Sequence, residues 1–370
     1  MIKVLPDFPG PKALGPALER VRKEGIRCET PWLDYCLGCH GCEIACPNGV
    51  NVAGLIRRAK LKQKKSGRTA VRDTLFARPD LLGRLGSIAP TLTNVLLDVQ
   101  PNRWLMSGFL KISTKRSFPS YYSPKVTLKR NGASRHTIFF PGCFIRHNHP
   151  SLMQTVVDVL QLCSSVEVPP EACCGIPALA NGDSPQLMSD LRRNVEAFAS
   201  KVENGASIVT ACASCGHMLK AEYPRLLHED PQVAGLARSI SEHTYDLAEF
   251  LLEFGPKPEL HPVQLRLAYH APCHLKAQGI GRPWLRILRA IPGIQVEEMA
   301  AECCGMAGTF GFKQEKYQVS MDIGEELFGA IRTYRPDLGV SECGTCRMQI
   351  EHGTGIEALH PVEILQRALA

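Results

Sequence analysis

The chain has 370 residues, 44% hydrophobic and 21% charged, an ordinary globular composition that excludes a disordered or low-complexity protein. A formal net charge of +7 is modest, and no nucleic-acid partner is expected from it. The anomaly is sixteen cysteines, bunched and repeatedly spaced as C-x2-C, which read as metal ligands in a reducing compartment rather than a secreted disulfide framework.

The opening "MIKVLPDFPGPKALGP" has no apolar core of signal-peptide length, and its prolines would break one. No run of about 18 uncharged apolar residues occurs, so no transmembrane helix is predicted. Next comes "CLGCHGCEIACP", Cys36 to Pro47, with the C-x2-C-x2-C-x3-C-P spacing of bacterial ferredoxins. Cys36, Cys39 and Cys42 would wrap one corner of a [4Fe–4S] cube, while Cys46, before its proline, reaches toward another cluster. A structural zinc site, the alternative, usually has two separated C-x2-C knuckles. The following "NVAGLIRRAK" reads as a helix. With only one such motif, Cys46 has no second cluster to serve and the first cube lacks a fourth ligand. A second motif, and a second [4Fe–4S] cluster, is therefore expected upstream of Met1; the alternative is completion by Cys28 or an external ligand.

Arg57, Arg58, Lys60, Lys62, Lys64, Lys65, Arg68 and Arg72 form a basic run, read as a solvated face or otherwise a contact for an acidic partner or anionic lipid. Residues 71–134 hold no cysteine and read as helical pieces broken by prolines. Within them, Leu81 to Ser113 is apolar but interrupted by charge and proline, so it could lie in a membrane interface without crossing it. Packing on the cysteine-rich part or on partner subunits is the competing expectation.

The remainder is an internal repeat. Cys143, Cys173, Cys174, Cys212 and Cys215 are followed by Cys273, Cys303, Cys304, Cys343 and Cys346 at offsets of 130, 130, 130, 131 and 131. Five spacings held to within one residue mark a duplication. Short β-rich runs at Thr137–Phe140, Ser207–Ala211, Leu265–Tyr269 and Leu338–Glu342 each lead into a cysteine motif. Alternating with amphipathic helices, they predict βαβ units and a mainly parallel sheet. Ser184 and Pro185 read as the N-cap and first residue of one such helix. Cysteines at strand exits would gather where open α/β folds bind ligands. The expected organisation is a helical ferredoxin-like region (1–70), a helical connector (71–134) and two α/β repeats (135–260 and 261–370).

Adjacent thiols at Cys173–Cys174 and Cys303–Cys304 can reach one target only where the chain turns, which the following glycine permits. Five thiols per repeat are one too many for tetrahedral zinc or a simple cube, and so imply bridging in an unusual cluster or direct redox chemistry. One zinc per repeat with a spare thiol is the alternative. Cys163 continues an apolar helical face and reads as a small core residue. His147, His149, His270 and His274 flank cysteines; they could orient or hydrogen-bond cluster sulfurs, but read as satisfied structural histidines. No G-x-G-x-x-G or Walker A motif is present, so no flavin, NAD or nucleotide is expected.

The segments "FFPGCFIRHNHP", "ACCGIPALANG", "APCH", "ECCGMAGTFGFK" and "ECGTCRMQIE" resemble the CCG domains of heterodisulfide-reductase-like iron–sulfur proteins. Within that group, "FPGPKALGP" and "CCGMAGTFGFKQEKY" resemble the C subunits of anaerobic glycerol-3-phosphate dehydrogenases. The resemblance implies a noncubane [4Fe–4S] cluster on each five-cysteine set, flavoprotein partner subunits, and electron delivery to membrane menaquinone. It also implies no catalysis on glycerol 3-phosphate by this chain itself and a further ferredoxin motif just upstream; the Leu81–Ser113 segment motivates the expectation of peripheral attachment on the cytoplasmic side of the inner membrane. A heterodisulfide-reductase-like catalytic subunit, or an iron–sulfur subunit of glycolate or lactate oxidation, is the alternative.

Overall fold

Eight short strands form two four-stranded, wholly parallel sheets in the computed structural model, which describes residues 1, 3–26, 28–63, 67–129 and 132–370, apart from the Arg68 side chain. The first sheet comprises β1 (His136–Phe139), β2 (Ser165–Glu167), β3 (Ser207–Thr210) and β4 (Thr244–Asp246), ordered β2-β1-β3-β4. The second comprises β5 (Leu265–Tyr269), β6 (Ile294–Glu298), β7 (Leu338–Val340) and β8 (Ala358–Leu359), ordered β6-β5-β7-β8. The duplication thus extends to topology. In each sheet the winding reverses between the two central strands, which opens a crevice at their carboxyl ends. Cys143 and Cys212 follow β1 and β3, and Cys273 and Cys343 follow β5 and β7, so both repeats aim their motifs at that crevice.

The sheets share one apolar core in which Phe139 and Val209 join Leu267, Tyr269 and Val340. The last strand of each repeat reaches across to the central strand of the other. His360 caps the Pro361–Leu369 helix, and its Nε2 bonds the Ala211 carbonyl at 2.9 Å, just before Cys212. Asp246 caps the Leu247–Phe254 helix, and its charge adds to burial in raising the pKa of Glu342, just before Cys343. Burial pushes the Asp246 carboxyl up to about 7, against a bond from the Ala248 N–H, and Glu249 adds to the rise. The proton is therefore held more tightly in the fold than in the unfolded chain. The associated stability is complete below the unfolded value of 3.8 and is lost as pH rises through about 7. Asp246→Asn keeps a capping side chain without the charge. It should flatten the decline between pH 4 and 7 and leave the variant roughly 2 kcal/mol more stable than the parent at pH 8, by anaerobic denaturant titration.

Prolines start the connector helices rather than break them. Pro79, Pro90 and Pro101 occupy the first turns of Pro79–Gly86, Pro90–Asp98 and Gln100–Leu110, where their missing N–H groups would be unpaired anyway. The 184–203 helix is capped one residue earlier than expected: the Asp183 carboxylate accepts the Gln186 N–H at 3.1 Å, and Ser184 is the first helical residue.

The basic run is a solvated face only in part: Arg58 and Lys62 are exposed, but three members are not. Arg57, Lys60 and Arg72 are buried. Arg57 Nη1 lies 3.5 Å from Glu222, Lys60 Nζ lies 3.1 Å from Asp34, and Arg72 pairs with Asp73 and Glu315. On the Val52–Lys62 helix, the face carrying Ile56, Ala59 and Lys60 turns inward while Arg58 and Lys62 stay exposed. Lys64 and Lys65 lie outside the described residues. The exposed apolar surface is elsewhere. Among the described residues, ten of the 19 exposed large hydrophobic side chains fall between Leu81 and Phe109, including Ile88 at 78% and Trp104 at 67%, so the connector is not sealed against the repeats.

Candidate metal centre

Each repeat brings its five thiols into one continuous string of contacts, in the same order. The first runs Cys143–Cys173–Cys174–Cys215–Cys212, with 3.8 Å between the Cys143 and Cys173 sulfurs. The second runs Cys273–Cys303–Cys304–Cys346–Cys343, with 3.2 Å between the Cys304 and Cys346 sulfurs. The adjacent thiols converge because the chain turns at Gly175 (φ +92°) and Gly305 (φ +85°). A Cβ on Gly305 would lie 2.1 Å from the Ser320 carbonyl oxygen, so only glycine fits that turn.

Within each string some thiols are lowered and others raised. Bonds from Cys173 and Cys215 lower Cys174 to about 6, and the bond from Cys346 lowers Cys343 to about 6. Others are pushed well above the ordinary thiol value: Cys215 by its bonds to Cys174 and Cys212 and by burial, Cys346 by its bonds to Cys304 and Cys343 and by burial. Five buried thiols cannot all ionise beside one another without a cation among them. A cationic cluster removes that conflict, so the donor set fits iron–sulfur ligation. His270 supports the fit. It is fully buried, and neither ring nitrogen has a hydrogen-bond partner among the described residues.

Cys36, Cys39 and Cys42 act on one another electrostatically, whereas Cys46 stands beyond the short 41–44 helical turn, outside the thiol charges that bear most on Cys39 and Cys42. Burial, then the charge of Cys303, pushes Cys39 up to about 12, so this motif opens directly onto the second repeat. Cys36, Cys39 and nine of the ten repeat cysteines line one cavity of about 250 Å³; Cys173 sits behind it. Cys28 is half-buried, outside these sets, and Cys163 packs against the shared core as expected.

The flanking histidines divide. His274 is satisfied: Ser214 Oγ lies 2.8 Å from Nδ1, and Nε2 donates to the Gly38 carbonyl at 3.1 Å. His147 sits 3.2 Å from Ser87 Oγ and 3.5 Å from Asp80, fastening the connector to the first repeat. His149 is lowered to about 4 by burial and caps the Pro150–Leu160 helix through its backbone. His270 departs from the expectation of a satisfied side chain. Sequence reasoning also missed His40 and His217, whose Nε2 atoms lie 3.0 Å apart where the N-terminal motif meets the first repeat. Glu43 holds His40 Nδ1 at 2.9 Å, and Glu222 lies 3.4 Å from His217 Nε2. Their proximity to Cys39 and Cys215 in sequence was the available signal.

A family profile for the cysteine-rich (CCG) domain matches residues 137–220 and 267–351. Fold and site together define a duplicated CCG iron–sulfur protein with an electron-transfer role. The C subunit of the anaerobic glycerol-3-phosphate dehydrogenase of Escherichia coli K12 is 34% identical over 378 aligned residues, covering 100% of this chain and 94% of that protein. The chain belongs to the family of these dehydrogenase C subunits. It is also similar to the B subunit of the Methanothermobacter marburgensis fumarate reductase (CoM/CoB), at 30% identity over 61% of this chain and 44% of that one. A probable glycolate oxidase iron–sulfur subunit of Bacillus subtilis is 25% identical over 88% of this chain and 78% of its own.

Proposed function

We propose that this chain is the electron-conducting subunit of an anaerobic glycerol-3-phosphate dehydrogenase, receiving electrons from a flavoprotein subunit and delivering them to membrane menaquinone. The observation that carries the reading is the shared cavity, in which nine of the ten repeat cysteines and Cys36 and Cys39 of the ferredoxin-like motif face one space. Cys36, Cys39 and Cys42 are assigned to one [4Fe–4S] cluster, Cys46 to ligation of a further one, and the two five-cysteine sets to noncubane [4Fe–4S] clusters. Bound clusters supply one-electron carriers. The chain's own residues hold them, exclude water and space them apart. Leu82, Phe118, Phe144 and Met348 form an apolar wall of the cavity, which suits a quinone acceptor better than a charged one. The test is reconstitution: the anaerobically purified chain should restore glycerol-3-phosphate-dependent menadione reduction to its flavoprotein partner. Reduction that is equally fast without it counts against the reading.

Peripheral attachment to the cytoplasmic face of the inner membrane belongs to the same proposal. No described helix is long and apolar enough to cross a membrane. The exposed Leu85, Ile88, Trp104 and Phe109 instead suit burial to the depth of the headgroups, with Lys111 and Lys115 exposed beside them. Liposome flotation with anionic vesicles should recover the parent chain and lose an Ile88→Ser, Trp104→Ser variant. Equal, poor flotation of both would remove intrinsic membrane contact from the proposal.

A further inference from the structure

The two thiol strings match contact for contact, but the strand exits that carry them differ at one buried position. The Phe140 N–H donates to the Val209 carbonyl at 2.8 Å, and the His270 N–H donates to the Val340 carbonyl at 2.9 Å. Val209 and Val340 are themselves equivalent, so Phe140 and His270 occupy the same place in their repeats. Both side chains are fully buried. Phe140 needs no polar partner and packs edge-on against Phe198 at 5.9 Å. His270 is different. An imidazole in any protonation state carries an N–H that a dry interior leaves uncompensated unless something accepts it. No described residue accepts it. One ring nitrogen nevertheless lies within 4.8 Å of both the Cys304 and Cys346 sulfurs.

We propose that His270 donates an N–H···S hydrogen bond to the iron–sulfur centre of the second repeat, giving that centre a partner which the first repeat, with Phe140, cannot provide. The inference rests on the assignment of one such centre to each five-thiol set. The repeat supplies its own control against direct ligation to iron. Five thiols in the same string of contacts serve the first repeat with an apolar ring at this position, so the sixth group is not needed to complete the coordination. A donated hydrogen bond acts on energy rather than on assembly. It stabilises the added negative charge of the reduced state, and hydrogen bonds to sulfur are among the levers that set cluster potentials. The duplicated centres are thereby made unequal, with the second the easier to reduce. His270 is a positioning and tuning residue, not a catalytic one.

His270→Phe tests this with the residue that the first repeat already tolerates at the equivalent place. The full chain, purified anaerobically with its clusters and labelled with 15N-histidine, is titrated under electron paramagnetic resonance, with Cys173→Ser used to isolate the second-repeat signal. In the parent, a weak histidine-nitrogen hyperfine coupling is expected on that signal. In His270→Phe the coupling should vanish and the midpoint move to a more negative potential, while the first-repeat signal stays where it was. His270→Gln, which keeps an N–H, should retain most of the parent potential. An unchanged midpoint and coupling in His270→Phe overturns the inference, as does the large isotropic coupling of a directly bonded nitrogen in the parent. Zinc in place of iron in the second repeat, read by metal analysis, overturns the underlying assignment instead.

Discussion

Replacing Cys303 with serine is expected to abolish the iron–sulfur signal of the second repeat and leave that of the first intact. Cys303 stands between Cys273 and Cys304 in the string of thiols, and its bonds to both hold it well below the ordinary thiol value. It is thus the thiolate of the pair in each contact, and a serine hydroxyl at the same place does not ionise near neutral pH. Iron content should fall by about four per chain, one cluster's worth. Cys173→Ser should do the converse, removing the first-repeat signal alone. Because the Cys303 charge raises the Cys39 thiol, the Cys303 variant should also perturb the ferredoxin-like signal, which Cys173→Ser should leave alone. Simultaneous loss of both repeat signals in either variant would mean one shared centre, and one zinc per repeat without iron would end the cluster assignment.

The cysteine arithmetic made the site legible because ligand spacing is a local property: a C-x2-C at a strand exit needs little tertiary context. The central strands were legible for the same reason. Ile208–Val209 and Leu267–Tyr269 lie in continuous apolar runs, as strands buried on both faces do. The outer strands were not. β2 and β4 have three residues and β8 two, while β6 (Ile294–Glu298) holds only two apolar residues, Ile294 and Val296, among Gln295, Glu297 and Glu298. Edge strands present one face to solvent and can be too short to show a period. Burial of Arg57, Lys60 and Arg72 within the basic run was equally hidden. Arg57 and Arg72 are charged in any local reading, and their acidic partners Glu222 and Glu315 lie far along the chain. His270 was visible as a residue beside Cys273, but the lack of a partner for its ring depends on everything folded around it.

Replacement of Arg72 by methionine is expected to destabilise the protein by about 3 kcal/mol, the typical loss when one member of a buried ion pair is removed. Arg72 is 2% exposed and joins three parts of the molecule. Its Nε bonds Asp73 at 3.1 Å, Nη1 bonds the Lys111 carbonyl at 3.0 Å, and both terminal nitrogens reach Glu315, at 3.0 and 2.9 Å. Burial alone would lower its pKa, but the bonds to Glu315 and the charge of Asp73 outweigh it and the guanidinium stays charged. Methionine fills the stem's volume but leaves the Lys111 carbonyl without this donor and strips the guanidinium from Asp73, which keeps Lys313 at 2.8 Å. Glu315 is partly exposed, so water compensates it and its share of the loss is small. Arg72→Lys should recover little, because one ammonium cannot span a bidentate carboxylate and a carbonyl together. The loss should be local as well as global. The Gly67–Phe76 helix and the end of Gln100–Leu110 are tied to the second repeat through this guanidinium, so limited proteolysis after Lys111 or Lys115 should quicken more than cleavage within either sheet. A variant that unfolds at the parent denaturant midpoint, with unaltered cleavage at Lys111, would show that the connector is held by its apolar contacts and not by this ion pair.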